Sequence, residues 1–218
     1  MLKVLLLALL AGIVGASSEA AAVQAPGPQN KVDVRYRTSG EGNKARYRVR
    51  ERLIGKELDN DAVGETPVIS GTIALDRLNM VVADESGFSA DVSKLKSSEM
   101  RRDKFVRSHI LMVDSFPVTT FRATAVKELS QPLPNAGNTT FRLVGDLTVK
   151  GVTRPTTWVV TAFVNGDKLT GQAITRFTFK EFGIRQPRLP ILHSVADTIT
   201  LEYDFVMTRQ AMKLQARQ

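Results

Sequence analysis

The chain has 218 residues, with 30 Lys and Arg, 22 Asp and Glu, 2 His, no Cys and a formal net charge of +8. That length bounds the protein to one domain or two small ones, and 43% hydrophobic residues exclude wholesale disorder. The absence of cysteine excludes disulfides, thiolate catalysis, zinc–cysteine sites and iron–sulfur clusters, and two histidines argue against a multi-histidine metal centre.

At the front, Lys3 precedes an apolar run from Val4 to Ala16 and then Ser17, Ser18, Ala20, Ala21 and Ala22. This is the charged, apolar, small-residue order of an export signal. The run is shorter than the roughly 20 apolar residues that span a bilayer. The small residues permit cleavage after Ala16 or near Ala22. Residues 1–22 are therefore expected as a signal peptide, and 23–30, with Pro26, Gly27 and Pro28, as a linker. A single β domain is expected over 31–207 and a polar tail over 208–218. Removing Lys3 and Glu19 leaves the net charge unchanged, so the positive charge belongs to the domain. In an exported protein it fits anionic envelope lipids better than nucleic acid, unless it is merely a solvated surface.

Beyond the linker, period-two alternation dominates. Val32, Val34 and Tyr36 alternate with polar residues. Next, Arg46, Arg48, Arg50 and Arg52 take one side, and Tyr47, Val49, Glu51 and Leu53 the other. Segments 67–76 and 87–93 also read as strands. Ser97 and Ser98, followed by Glu99 and the run to Leu111, read as a serine-capped helix near 98–111, with Pro117 beyond its end.

Strands resume at 118–126, with Phe121, Ala123 and Ala125 on one side, and at 141–149, with Phe141, Leu143, Gly145, Leu147 and Val149. Three more follow at 156–164 (Trp158, Val160, Ala162, Val164), 168–179 (Leu169, Gly171, Ala173, Phe177, Phe179) and 198–206 (Ile199, Leu201, Tyr203, Phe205). Turn residues separate them at Pro134-Asn135-Ala136-Gly137, Lys150-Gly151-Val152-Thr153 and Asn165-Gly166-Asp167. Short connections join antiparallel neighbours, and about eight strands with one apolar face each favour a closed barrel, which leaves no edge exposed. The expected fold is all-β, an antiparallel barrel of about eight strands with one short α-helix.

Several same-side positions are small (Ala123, Ala125, Gly145, Gly171, Ala173) and lie near aromatics. Either large residues across the barrel fill that space, or it is a cavity suited to an apolar ligand. Glu51 shares the apolar side of its strand, so it is expected inward, paired with an arginine or contacting a ligand headgroup.

Motifs for chemistry are sparse. Gly40-Glu41-Gly42-Asn43-Lys44-Ala45 matches a dinucleotide fingerprint formally, but the surrounding strands do not form a βαβ unit. No Gly-x-Ser-x-Gly elbow or phosphate-binding loop occurs. His109 and His193 have no orienting acid at a recognisable spacing, and Glu51 with His193 is the sole candidate pair for catalysis in a lumen. Tyr36 and Tyr47 among the arginines could form a nucleic-acid platform, but no recognition motif accompanies them.

Ser98-Glu99-Met100-Arg101-Arg102-Asp103-Lys104-Phe105-Val106-Arg107, then Leu111 and Phe116-Pro117, resembles the helix signature of the YceI-like family. Leu143-Val144-Gly145-Asp146-Leu147-Thr148-Val149-Lys150-Gly151-Val152-Thr153 is similar to that family's hairpin, and Phe179–Ile184 and Val195–Leu201 fit as well. The resemblance runs from about Ser70 to Phe205. It implies a lipocalin-like exported barrel holding a polyisoprenoid chain, with no established catalytic residue. The chain departs where familiar members carry histidines in the first strands, since Tyr36–Leu53 is rich in arginine and has none. That difference bears on headgroup contacts more than on the fold.

The resulting expectation is a binding protein and not an enzyme, with no cofactor and no metal. Its ligand is a polyisoprenoid or isoprenoid quinone, held for transport or storage. An enzyme acting on a lipid-like substrate, or an envelope interaction module without a ligand, are the alternatives. Expected ligand contacts are Glu51, Phe121, Phe141, Leu143, Val160, Phe177, Phe179 and Tyr203. Anionic envelope lipids are a possible surface partner, nucleic acid is not expected, and a homodimer is left open.

Overall fold

A computed structural model describes residues 32–129 and 136–211. The expected signal peptide and linker, the Pro134-Asn135 turn and the tail beyond residue 211 lie outside the described residues.

The strands are β1 (Val32–Thr38), β2 (Lys44–Leu53), β3 (Asn60–Thr66), β4 (Ile69–Asp76), β5 (Gly87–Asp91), β6 (Lys96–Ser97), β7 (Val118–Lys127), β8 (Ala136–Val149), β9 (Val152–Asn165), β10 (Lys168–Thr178) and β11 (Leu192–Arg209). Every pairing is antiparallel, and β1-β4-β5-β7-β8-β9-β10-β11 close into a ring of eight through β1 against β11. The remaining strands lengthen that ring. β2 continues the course of β1 along β11, with Thr38 opposite Met207 and then Lys44 opposite Asp204. β3 likewise leads into β4, and β6 follows β5. Eleven strands thus form eight staves, as the alternation predicts.

Turn chemistry sets the register. Lys150 and Gly151, both at left-handed φ (50° and 74°), join Val149 to Val152 in a two-residue hairpin, so β8 and β9 pair along fourteen positions each. Gly145 and Gly171 are required for a different reason. A Cβ at Gly145 would lie 2.1 Å from the Arg122 carbonyl oxygen, and one at Gly171 would lie 2.1 Å from that of Thr161. Neighbouring backbones could not come this close around any larger residue.

Four local expectations are corrected. The helix expected over 98–111 is an α-helix, α1, only at Met100–Phe105, and passes into one π-helical stretch, Val106–Leu111. Neither serine caps it. Glu99 holds the cap position without a side-chain bond, while Asp103 inside the helix accepts from the Ser97 amide (2.7 Å) and hydroxyl (2.6 Å). A carboxylate accepting two bonds ties the helix back to β6 more firmly than a hydroxyl cap would. Phe179 does not continue its strand but opens a 3₁₀ turn, Phe179–Phe182, closed by Gly183 at φ 62°. Thr208 and Arg209 belong to β11 and not to a tail, because their backbones pair with Arg37 and Tyr36 to shut the barrel. Finally, β3 was not expected: Asn60–Thr66 contains two apolar side chains, and its Gly64 makes room for the Tyr47 ring, 2.4 Å from where a Cβ would sit.

Candidate functional site

The staves enclose a cavity of about 740 Å³. All eight expected contact residues lie on its wall: Glu51, Phe121, Phe141, Leu143, Val160, Phe177, Phe179 and Tyr203. Strand alternation places them there, with Phe141 opposite Val160 across β8–β9 and Ala173 opposite both Val160 and Tyr203. Phe179 reaches the wall from its turn, next to the Phe177–Phe182 ring contact (4.4 Å). Trp158, Tyr47, Phe88 and Arg102 also line the wall, beyond the expected contacts. Trp158 meets Phe121 edge to face at 5.7 Å, the geometry aromatic quadrupoles favour.

The small residues explain less of this volume than their pattern implies. Of the five, Ala173 lines the cavity. The space beside Gly145 is taken by the Phe121 ring and that beside Gly171 by the Phe205 ring, while Ala123 is wholly buried. The protein's own aromatics fill those gaps, as in an interdigitated core.

One end of the barrel is closed. At the corner between β1 and β2, Gly40 and Gly42 take left-handed φ (66° and 95°) and turn the chain against β11, where the Ser39 amide donates to the Val206 carbonyl at 3.0 Å. Buried Asn43 there donates to the Ser39 and Gly40 carbonyls (3.1 and 3.3 Å) and accepts from the Tyr203 hydroxyl (3.1 Å) and the Val206 amide (3.0 Å). The glycine-rich stretch that formally resembles a nucleotide loop is this corner. Burial raises the Tyr203 phenol above its ordinary pKa, so it stays a neutral donor.

The other end is the mouth. Ser98, Glu99, Arg101, Phe105 and Val106 from the helical segment line its rim with Pro187, Leu189, Ile191 and Leu192. Just inside it stands a polar cluster in otherwise apolar surroundings. Arg102 Nη2 donates to Glu51 Oε1 at 2.9 Å, with the carboxylate side chain only 9% exposed and the guanidinium 19%. The expected inward Glu51 is therefore paired, but by an arginine of α1 and not of its own strand. Tyr47 lies on the same wall, its phenol pushed up to about 12, chiefly by burial and further by Asp103 and Glu51, against the lowering effect of Arg102. This cluster can orient an uncharged polar head by hydrogen bonding, and its opposed charges cancel locally.

Outside the barrel, the arginines of β2 are matched by cross-strand acids. Arg46 and Arg48 bind Glu202, Arg46 also reaches Asp204, Arg48 and Arg50 reach Asp61, and Arg52 binds Asp59. Arg48 and Arg46 hold the Glu202 carboxyl below its ordinary pKa. Tyr36 and Tyr47 point away from this face, so it offers no aromatic platform for stacking bases. His193 is exposed while Glu51 bonds Arg102, so the pair weighed for catalysis is not assembled. No group of acids and histidines that could hold a metal occurs among the described residues. No helix among them is long and apolar enough to cross a membrane.

A closed antiparallel barrel with an apolar lumen, mouthed by one short helix, places the protein in the lipocalin-like class of cavity barrels. The sequence profile described as the YceI-like domain matches residues 39–207, and the chain belongs to the YceI-like family. It is 28% identical to the protein YceI of Shigella flexneri over 139 residues, covering 61% of this chain and 68% of that one. Among solved structures, a polyisoprenoid binding domain from Saccharophagus degradans superposes with a TM-score of 0.62 at 9% identity, covering 80% of this chain and 98% of that one. Burkholderia cenocepacia BcnA does so with a TM-score of 0.56 at 17% identity, covering 75% and 95%.

Proposed function

We propose that this protein is a lipid-binding carrier or store that holds a polyisoprenoid, or an isoprenoid quinone, with its chain in the barrel and its head at the Tyr47–Glu51–Arg102 cluster. The enclosed apolar cavity carries this reading: its volume lies in the range of sites built to bury most of a ligand. Each 100 Å² of apolar surface removed from water contributes about 2.5 kcal/mol, so several isoprene units supply the affinity after association entropy is subtracted. Glu51, Phe121, Phe141, Leu143, Val160, Phe177, Phe179 and Tyr203 are the assigned contacts. The likeness to a polyisoprenoid binding domain agrees with such a ligand.

The proposed role is binding without turnover, since the Glu51 carboxylate and the Tyr203 hydroxyl in the lumen are already engaged by Arg102 and Asn43. The proposed site of action is the cell envelope, reached through the leader at residues 1–22. The test is mass spectrometry of organic extracts from purified protein, with and without prior incubation with a polyprenol and a quinone. A stoichiometric, chemically unchanged lipid is expected. Failure of any co-purified or added lipid to bind would overturn the assignment, and chemical conversion of a bound lipid would replace it with an enzyme.

A further inference from the structure

The cavity mouth carries a surface that the lumen does not explain. Ile54 and Ile191 meet there, the Ile54 amide donating to the Ile191 carbonyl at 2.9 Å, and both side chains are exposed. Leu58, at the tip of the same β2–β3 hairpin, is 82% exposed, and Met100, at the start of α1, is 86% exposed. Large apolar side chains projected this far from three convergent segments have no packing role in the fold.

Charge is arranged around them. Lys56, Arg101, Lys104, Arg185 and Arg188 are all exposed on those segments, and among the described residues none has an ion pair or a side-chain hydrogen bond. The acids on residues 54–59, 98–111 and 183–191 without a cation are Glu57, Glu99 and Asp103, the last buried against Ser97. The closed end differs around its apolar tips. It too exposes Leu78 and Met80, but the loop there brings Asp84 and Glu85, and Arg35 and Arg77 are each matched by an acid. The cations of that end without an ion pair, Arg37, Lys127 and Lys168, are spread over β1, β7 and β10. Apolar tips ringed by unmatched cations suit a surface that is apolar inside and anionic outside.

We propose that the mouth end is a docking face for an anionic lipid bilayer. Leu58, Met100, Ile54 and Ile191 enter the headgroup boundary, and Lys56, Arg101, Lys104, Arg185 and Arg188 contact lipid phosphates. Docked this way, the cavity opens onto the membrane and a lipid passes between them without crossing water. The inference goes beyond the lumenal reading and rests on surface residues, so it can fail or hold independently of cavity loading.

The experiment is flotation of the full chain with vesicles of phosphatidylcholine alone or mixed with phosphatidylglycerol. Binding is expected only to the mixed vesicles, and is lost near 0.5 M salt, where screening shortens to roughly 4 Å. Joint substitution of Arg101→Glu, Arg185→Glu and Arg188→Glu should weaken binding on the order of 100-fold. The same charge change at the closed end, Arg37→Glu with Lys127→Glu and Lys168→Glu, should leave it within about threefold. Leu58→Trp fluorescence should shift to the blue on mixed vesicles, and Leu78→Trp should not. Equal binding to neutral vesicles, equal losses from both triple variants, or a blue shift confined to Leu78→Trp would each overturn the proposal. Measuring polyprenol loading of the same variants in detergent separates this outcome from failure of the cavity assignment.

Discussion

The two ends of the barrel are held by different forces. At the closed end, strand pairing runs to the edge and the loops are tied down by buried local hydrogen bonds. Asn43 joins the β1–β2 corner to β11, and the Ser86 hydroxyl bridges the Ala74 amide and carbonyl. At the mouth, the helical segment and residues 183–191 lie outside the ladder. They are attached largely by long side chains: Arg102 to Glu51, Arg107 to the Leu95 carbonyl at 2.7 Å, and Gln186 to the Val195 carbonyl at 2.7 Å. The mouth can therefore shift by releasing side-chain bonds, whereas opening the closed end requires unpairing strands. A container that must admit an occupant at one end and retain it at the other needs this asymmetry.

The comparison breaks most readily at Asn43. Asn43→Ala strands four buried or half-buried partners and is expected to cost about 2–4 kcal/mol in urea unfolding. Arg102→Ala at the mouth leaves Glu51 buried without its cation, at about 2–3 kcal/mol. That variant should also speed lipid exchange, which Asn43→Ala should not; equal exchange rates would show that the ends do not differ as described. Ala173→Phe fills lumen midway between the ends, and should lower lipid uptake about tenfold while unfolding stays within about 1 kcal/mol of the parent.

The seam between β2 and β11 gives a pH test. The Glu202 pKa is lower folded than unfolded, chiefly through its bond from Arg48, so its contribution is complete above the unfolded carboxylate value of about 4.3 and is lost as pH falls through the folded one. Glu202→Gln should remove about 1 kcal/mol at neutral pH and flatten the acid limb of the stability curve. The smallest effect is expected at the exposed Arg142–Glu128 pair, where Arg142→Ala should change stability by less than about 0.5 kcal/mol.

Much of this molecule is legible in its sequence where one face of a strand is buried and the other solvated. From β7 to β11 that contrast is sharp, and the alternation that places Phe121, Phe141, Val160 and Tyr203 on the wall follows from it. β3 was illegible because its inward positions are Ala62 and Gly64, so burial there depends on the Tyr47 ring above. The partner of Glu51 was illegible because pairing with Arg102 spans 51 positions and depends on where α1 docks. The small residues left two readings open, and Gly145 and Gly171 fall on the filled side: they mark close backbone approach, which sequence alone does not distinguish from empty space. Asn43 was illegible because its flanking glycines read only as a formal nucleotide-loop match, and nothing in them marks a buried junction.

The seam between β1 and β11 has a consequence for how the molecule is made. Ser39 meets Thr208 at a sequence separation of 169, and Tyr36 pairs with Arg209. Loop closure over nearly the whole domain is the slowest kind of contact to form. A chain synthesised from its N-terminus therefore carries its first stave unpartnered on one edge until the last residues of β11 emerge. For that interval it is an open sheet with its lumenal face uncovered, and closure of the ring is the event that separates lumen from surroundings.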